Sequence, residues 1–184
     1  MAVLAGGGDP GAGRQPLRRA LRGSLRLPGA RPPAHDRAGV RPDPMSLALS
    51  WSGGKDAAWA LHLLRQQGED VAALVTTVIQ GQDRNTTHRV RRAVIRQQAA
   101  LVDLPLLEIE LPWPCGDELY SFAVGAALAD LKRREGIEAV AFGDLFLADL
   151  RRFRERLLEP IGLAAVFPLW GMRTDLLAQR LLRA

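Results

Sequence analysis

A single cysteine, Cys115, stands in a chain of 184 residues, so no disulfide can form within it, and such usage fits a reducing, cytoplasmic compartment. No run approaches the ~20 apolar residues that a membrane-spanning helix requires, which excludes a helical membrane anchor. The N-terminal stretch has neither the apolar run nor the small-residue cleavage site of a secretory signal. Also missing is an excess of charge in the body of the chain. The formal net charge is +5, but residues 1–44 hold eight Arg against three acids; the chain's 25 basic and 20 acidic residues then leave 17 of each for residues 45–184. An electroneutral body has no overall attraction to a nucleic-acid backbone, so nucleic acid is not an expected partner.

Residues 1–44 are rich in Gly, Pro, Ala and Arg, with clusters such as Gly6-Gly7-Gly8 and Arg31-Pro32-Pro33 and little apolar periodicity. A segment of this kind cannot bury enough surface to order itself and is expected to be a disordered tail. Its arginines and scarcity of acids give it some transit-peptide character. Met45 directly precedes the first strand pattern, and the simpler expectation is that translation starts there and the tail is an upstream artefact. Residues 45–184 have the length of one domain with its own core.

From Met45 onward strand and helix patterns alternate. After a short apolar run at Leu47-Ala48-Leu49 comes a helical pattern from Ala57 to Gln67. Val71 to Ile79 is a continuous β-branched and apolar run, as expected of a strand buried on both faces. A polar loop, Gly81 to Asn85, leads to a helix expected over His88 to Val102, with Val90, Val94, Ile95, Ala99 and Val102 on one face. Leu106 to Leu111 reads as a third strand, and Asp117 is the expected cap of a helix ended by Gly136. Ala139 to Phe142, a charged helix over Ala148 to Leu158, Ala164 to Phe167 and a final helix capped by Thr174 complete the series. The implied fold is α/β: a Rossmann-like three-layer sandwich with a five-stranded parallel sheet and right-handed crossovers. Ligands of such sheets bind beyond the carboxyl ends of the strands, and the loops after Trp51, Ile79, Leu111, Phe142 and Phe167 all fall there.

The first of these loops carries the clearest chemistry. In Ser52-Gly53-Gly54-Lys55-Asp56 two adjacent glycines let the backbone turn its N–H groups toward a ligand, and the following helix points its positive end at the same place. That is an anion site, best suited to phosphate. It is not the longer nucleotide loop ending in Lys-Ser/Thr, because Asp56 follows Lys55. A carboxylate beside a phosphate cradle is repelled unless a divalent cation lies between, so Asp56 points to Mg2+ bridging to a polyphosphate.

This stretch resembles the signature Ser-Gly-Gly-x-Asp-Ser of the pyrophosphate-loop (PP-loop) ATP pyrophosphatase superfamily, with Ala57 in place of the last serine. Phe142-Gly143-Asp144-Leu145-Phe146-Leu147-Ala148-Asp149-Leu150-Arg151 with Arg154-Glu155, and then Phe167-Pro168-Leu169-Trp170, resemble the diphthine–ammonia ligase branch. His88, Gln98-Ala99 before Leu104-Pro105-Leu106, and Tyr120 fall where that branch has similar residues. The likeness spans about Leu47 to Leu177. It implies a HUP-type domain that binds ATP with Mg2+, activates a carboxylate by adenylation with release of pyrophosphate, and lets ammonia displace AMP to leave an amide.

By the same resemblance Ser52, Gly53, Gly54 and Lys55 hold the phosphates, Asp56 positions the metal, and backbone groups from Thr76 to Val78 meet adenine. Asp144 is then a candidate for the metal or the incoming ammonia, with a turn acid as the other reading. Arg151 and Arg154 are candidates for neutralising the leaving pyrophosphate or holding the acceptor carboxylate, and Arg154 reads equally as part of a charged helix face. His88 reads as a phosphate contact or a surface histidine, and Trp170 as a ligand stack or an apolar plug. The ligase branch continues beyond the Pro-Leu-Trp element, so a form short at its C-terminus is expected. Two other functions stay open: an ATP-binding module without turnover, and tRNA thiolation, against which the single Cys115 counts. The partners this reading implies are ATP, ammonia and a carboxylate acceptor on a protein side chain or a small molecule, with a homodimer as one expected assembly.

Overall fold

The computed structural model describes residues 45–182, so the expectation of a disordered tail over residues 1–44 lies outside the described residues. Five strands form one parallel sheet: β1 (Ser46–Ser50), β2 (Asp70–Ile79), β3 (Leu106–Leu111), β4 (Ala139–Ala141) and β5 (Ala164–Val166). Between and after them run α1 (Lys55–Gln67), α2 (Arg92–Leu101), α3 (Asp117–Glu135), α4 (Ala148–Leu158) and α5 (Thr174–Leu181). The strand order is β3-β2-β1-β4-β5. The chain therefore builds outward from β1 to β3, returns to the middle and builds the other half through β4, which places the reversal of strand order between β1 and β4. This is the α/β Rossmann-like architecture expected from the alternating pattern.

Strand side chains alternate between the two faces of a sheet, and β1 shows the consequence. Leu47 and Leu49 belong to a core with Trp59, Leu64, Ile95 and Leu177, from α1, α2 and α5. Ala48 lies in a second core with Val75, Ile109, Leu128, Val140 and Leu158, to which α3 and α4 contribute. Both faces of the sheet are thus covered. Truncating a fully buried leucine such as Leu49 would cost about 2–5 kcal/mol.

Three local expectations are corrected. The second helix begins at Arg92, not His88. Antiparallel bridges Val78↔Asn85 and Arg84↔Arg91 fold residues 84–91 back as an arm, and Arg89 has φ +56°, outside helical space. Neither Asp117 nor Thr174 caps a helix through its side chain: each is the first helical residue, after Gly116 and Arg173. Asp117 instead places its charge in the first turn, where the helix dipole favours it. Gly136 does end α3, in the left-handed conformation at φ +67°.

Candidate active site

The chain leaves β1 at the reversal point and turns at once into α1. Trp51 is buried and its N–H donates to Val75 O at 2.7 Å, so pairing with β2 persists to the edge of the turn. Gly53 has φ +79°, and a Cβ there would lie 2.6 Å from Ile95 Cδ1 and 3.1 Å from Gln98 Oε1. Conformation and space both demand glycine. Gly54 precedes α1 in extended conformation with no side-chain cap, and its N–H donates to Ser52 Oγ at 3.3 Å. An uncapped helix N-terminus opening on a glycine turn is the electrostatic arrangement for an anion.

Two amides brace this turn from outside it. Gln98, on α2, donates through Nε2 to Gly53 O at 3.2 Å and accepts Trp51 Nε1–H at Oε1 at 3.0 Å. Asn85, fully buried, donates through Nδ2 to Ser52 O at 2.9 Å and accepts the N–H groups of His88 and Val90 at 3.2 and 3.0 Å. In the sequence Asn85 is one more polar loop residue and Gln98 one of two adjacent glutamines. No periodicity marks Asn85, and the Gln98-Ala99 pair stands out only through the family resemblance.

The loop after β4 forms the facing wall. A Cβ on Gly143 would lie 3.1 Å from Asp56 C and 3.2 Å from Ala57 N, so this backbone rests directly on the first turn of α1. Asp144 follows. Its Oδ2 is buried and accepts no hydrogen bond, with Arg154 Nε 3.9 Å away. Burial raises its pKa above the usual carboxylate value, and the partly opposing charge of Arg154 does not restore it. Arg154 is itself fixed: Nη1 donates to Tyr120 Oη at 2.9 Å, and its guanidinium lies 4.8 Å over the Phe142 ring.

These walls enclose a cleft of about 500 Å³ lined by Ser52, Asp56, His88, Asp144 and Arg154 among others. Of the residues singled out in the sequence, Ser52, Asp56, His88, Asp144 and Arg154 are brought together here, with Gly53 and Gly54 in the adjoining turn. Lys55 is 68% exposed, and its ammonium lies 3.0 Å from Asp56 Oδ1. Val78 is wholly buried in β2 and does not line the cleft; Thr76 and Thr77 line a narrow cavity of about 40 Å³ that shares Ser52, Thr87 and Arg154 with it. Arg151 stands apart on α4, paired with Glu155 at 2.9 Å and stacked 5.0 and 4.9 Å from the Phe167 and Trp170 rings. Cys115 lies beside another cleft of about 280 Å³, with Trp113, Asp117 and Tyr120.

Among the described residues no group of three or more His, Cys, Asp or Glu could hold a metal by protein ligands alone. Two carboxylates, Asp56 and Asp144, do share the cleft onto which the glycine turn and the N-terminus of α1 open. That donor set suits Mg2+, which is commonly held by one or two carboxylates together with phosphate oxygens and water.

Residues 45–165, more than half of the chain, match the family model of the diphthamide synthase N-terminal domain. No curated protein sequence matches the chain. Among solved structures, a predicted subunit of tRNA methyltransferase from Methanocaldococcus jannaschii is similar at 15% identity and TM-score 0.49, covering 74% of this chain and 75% of that one. The U34-tRNA thiolase NcsA from Methanococcus maripaludis, which carries a [4Fe-4S] cluster, is similar at 14% identity and TM-score 0.48, covering 74% of this chain and 56% of that one. Among the described residues no helix is long and apolar enough to cross a membrane.

Proposed function

We propose, from the premise that this chain belongs to the family of diphthamide synthase N-terminal domains, that it binds Mg-ATP in the cleft between the Ser52–Asp56 turn and the Gly143–Asp144 loop and adenylates a carboxylate for amide formation with ammonia. The observation that carries this reading is the convergence of a glycine turn, an uncapped helix N-terminus and two carboxylates on one cleft. An anion site alone would repel the acids; a cation between them and the phosphates reconciles the two.

Each residue then has a defined task. Backbone N–H groups at Gly53 and Gly54 and the Ser52 hydroxyl bind the β- and γ-phosphates, with Lys55 adding positive charge at the mouth. Asp56 and Asp144 would hold Mg2+, which when bound would supply charge neutralisation for the leaving pyrophosphate. Adenine lies against the end of β2, at Thr76 and Thr77. Arg154, its guanidinium oriented by Tyr120, holds the acceptor carboxylate. The carboxylate oxygen attacks the α-phosphorus as the bond to pyrophosphate breaks; ammonia then attacks the acyl carbon and AMP departs. Arg151 adds positive charge behind this wall.

The test is to incubate the full chain with Mg-ATP, with and without ammonium, while measuring affinity and identifying the nucleotide products. Binding with slow formation of AMP and pyrophosphate is the expected result. ADP and phosphate would overturn the adenylation chemistry. Binding without any hydrolysis would leave a nucleotide-binding module, and no binding would overturn the reading altogether. Asp56→Ala should abolish the Mg2+-dependent part of the affinity with the fold intact.

A further inference from the structure

The arm formed by residues 84–91 lies beside the glycine turn, and the proposed chemistry gives it no task. It is held tightly. Thr86 N–H donates to Thr77 O at 3.0 Å and Asn85 N–H to Val90 O at 2.9 Å, while the Asn85 side chain binds Ser52 O on one side and the His88 and Val90 N–H groups on the other. One buried amide therefore fixes the spacing between the phosphate turn and the backbone of His88. The His88 imidazole lies over that turn: a Cβ built on Gly54 would be 3.8 Å from its Cδ2 and 3.9 Å from its Nε2. Its side chain lines the same cleft as Ser52, Asp56 and Asp144.

The charges of the cleft leave a place for it. Lys55 is turned to Asp56, and Arg154 is held by Tyr120 opposite Asp144, so the cationic side chains near the turn face its carboxylates. A polyphosphate has more oxygens than the Gly53 and Gly54 N–H groups can serve. An imidazole offers an N–H donor in its neutral form as well as its charged one. Its backbone is already held by Asn85, so a ligand has only the two side-chain torsions left to order.

We propose that His88 is a polyphosphate ligand and that Asn85 is the positioning residue that sets it over the Gly54 turn. This rests on the ATP-binding reading above. The β- and γ-phosphates, not the AMP portion, are what His88 contacts.

The experiment measures the affinity of the full chain for Mg-ATP, inorganic pyrophosphate and AMP, in the parent and in His88→Leu, His88→Gln and Asn85→Asp, each at a temperature where its unfolding curve shows it folded. His88→Leu should weaken ATP and pyrophosphate by about tenfold or more and leave AMP within twofold, because a lost hydrogen bond to a charged group is of that size. His88→Gln, which keeps an N–H donor, should recover most of the loss. Asn85→Asp keeps the acceptor for His88 and Val90 but removes the donor to Ser52 O, and should lower pyrophosphate affinity selectively with His88 intact. A general loss of stability would not separate pyrophosphate from AMP. Parental pyrophosphate and ATP affinities in His88→Leu would overturn the inference and leave ATP binding standing. Parental selectivity in Asn85→Asp would overturn the positioning role; if that variant does not fold, Asn85→Ser, too short to span both partners, makes the same comparison. A parent that binds neither ATP nor pyrophosphate would overturn this inference and the ATP reading together.

Discussion

Gln98 Nε2 lies 3.2 Å from the carbonyl oxygen of Gly53 and donates a hydrogen bond to it, tying α2 to the turn on which the proposed phosphate site is built. The same side chain accepts the buried Trp51 indole N–H. Gln98→Leu removes both bonds and leaves an indole N–H and a carbonyl to be satisfied elsewhere. The expected cost is about 1–3 kcal/mol, measured by denaturant unfolding, together with weaker ATP binding. Gln98→Glu keeps the acceptor for Trp51 and loses only the donor, so it should fall between the two.

Gly53→Ala should be at least as damaging to the turn. The added methyl meets Ile95 Cδ1 at 2.6 Å and the backbone stays at φ +79°, so steric and conformational penalties combine to about 1–3 kcal/mol. Ile95→Val removes the clashing Cδ1. In a double-mutant cycle the Ile95→Val background should recover part of the Gly53→Ala loss, and the remainder combines the conformational cost with the 3.1 Å approach to Gln98 Oε1. Strict additivity of the two changes would show that the clash is relieved in another way.

Much of this fold was legible because buried parallel strands announce themselves. Val71 to Ile79 is β-branched or apolar throughout, and the other strands are short, mainly apolar runs separated by helical spacing. The glycine turn was equally plain, since adjacent glycines between a strand and a helix mark a sharp change of direction. The arm at 84–91 was not, for from His88 onward its spacing continues that of α2 and reads as one more helical turn. What overrides it is tertiary: the Asn85 side chain takes the N–H groups of His88 and Val90. Arg151 and Arg154 show a similar boundary. Both sit on α4 three residues apart, and only the packing of Tyr120 and Phe142 places Arg154 in the cleft and leaves Arg151 stacked on Phe167 and Trp170.

Asp144 gives a prediction in pH. Burial raises its pKa above the ordinary value of 3.8, with Arg154 opposing, so the folded state resists ionising it. A carboxyl of this kind contributes its stability below the unfolded value and loses it as pH rises through the folded one. Asp144→Asn should therefore have the higher melting temperature at pH 7, with the gap closing below about pH 3.8. If the Arg154 pairing outweighed burial, the order at pH 7 would be reversed. Mg-ATP should stabilise the parent more than the variant, because the carboxylate that burdens the empty fold is the one proposed to hold the cation.

Glu108 titrates in the opposite sense. Arg96 binds it through two hydrogen bonds of 2.9 and 2.6 Å and Arg92 through a third of 2.8 Å, and Arg92 also reaches Glu110 at 2.9 Å. The bonds from Arg96 lead in lowering its pKa; burial acts against them and Arg92 adds to them. A depressed carboxyl contributes stability above its unfolded value of 4.5 and loses it as pH falls through the folded one. Glu108→Gln should thus cost about 1–2 kcal/mol at pH 7, and its unfolding curve should converge on that of the parent as pH drops below 4.5. The effect reaches the cleft. These bonds fasten α2 to the edge strand β3, and α2 carries both Ile95 and Gln98 against Gly53. Hydrogen exchange at pH 7 should show the amides of α2 opening more readily in Glu108→Gln than those of β1 or β4, with ATP affinity falling alongside. Uniform loss of protection across the sheet would instead mean that α2 and the glycine turn do not open as a unit.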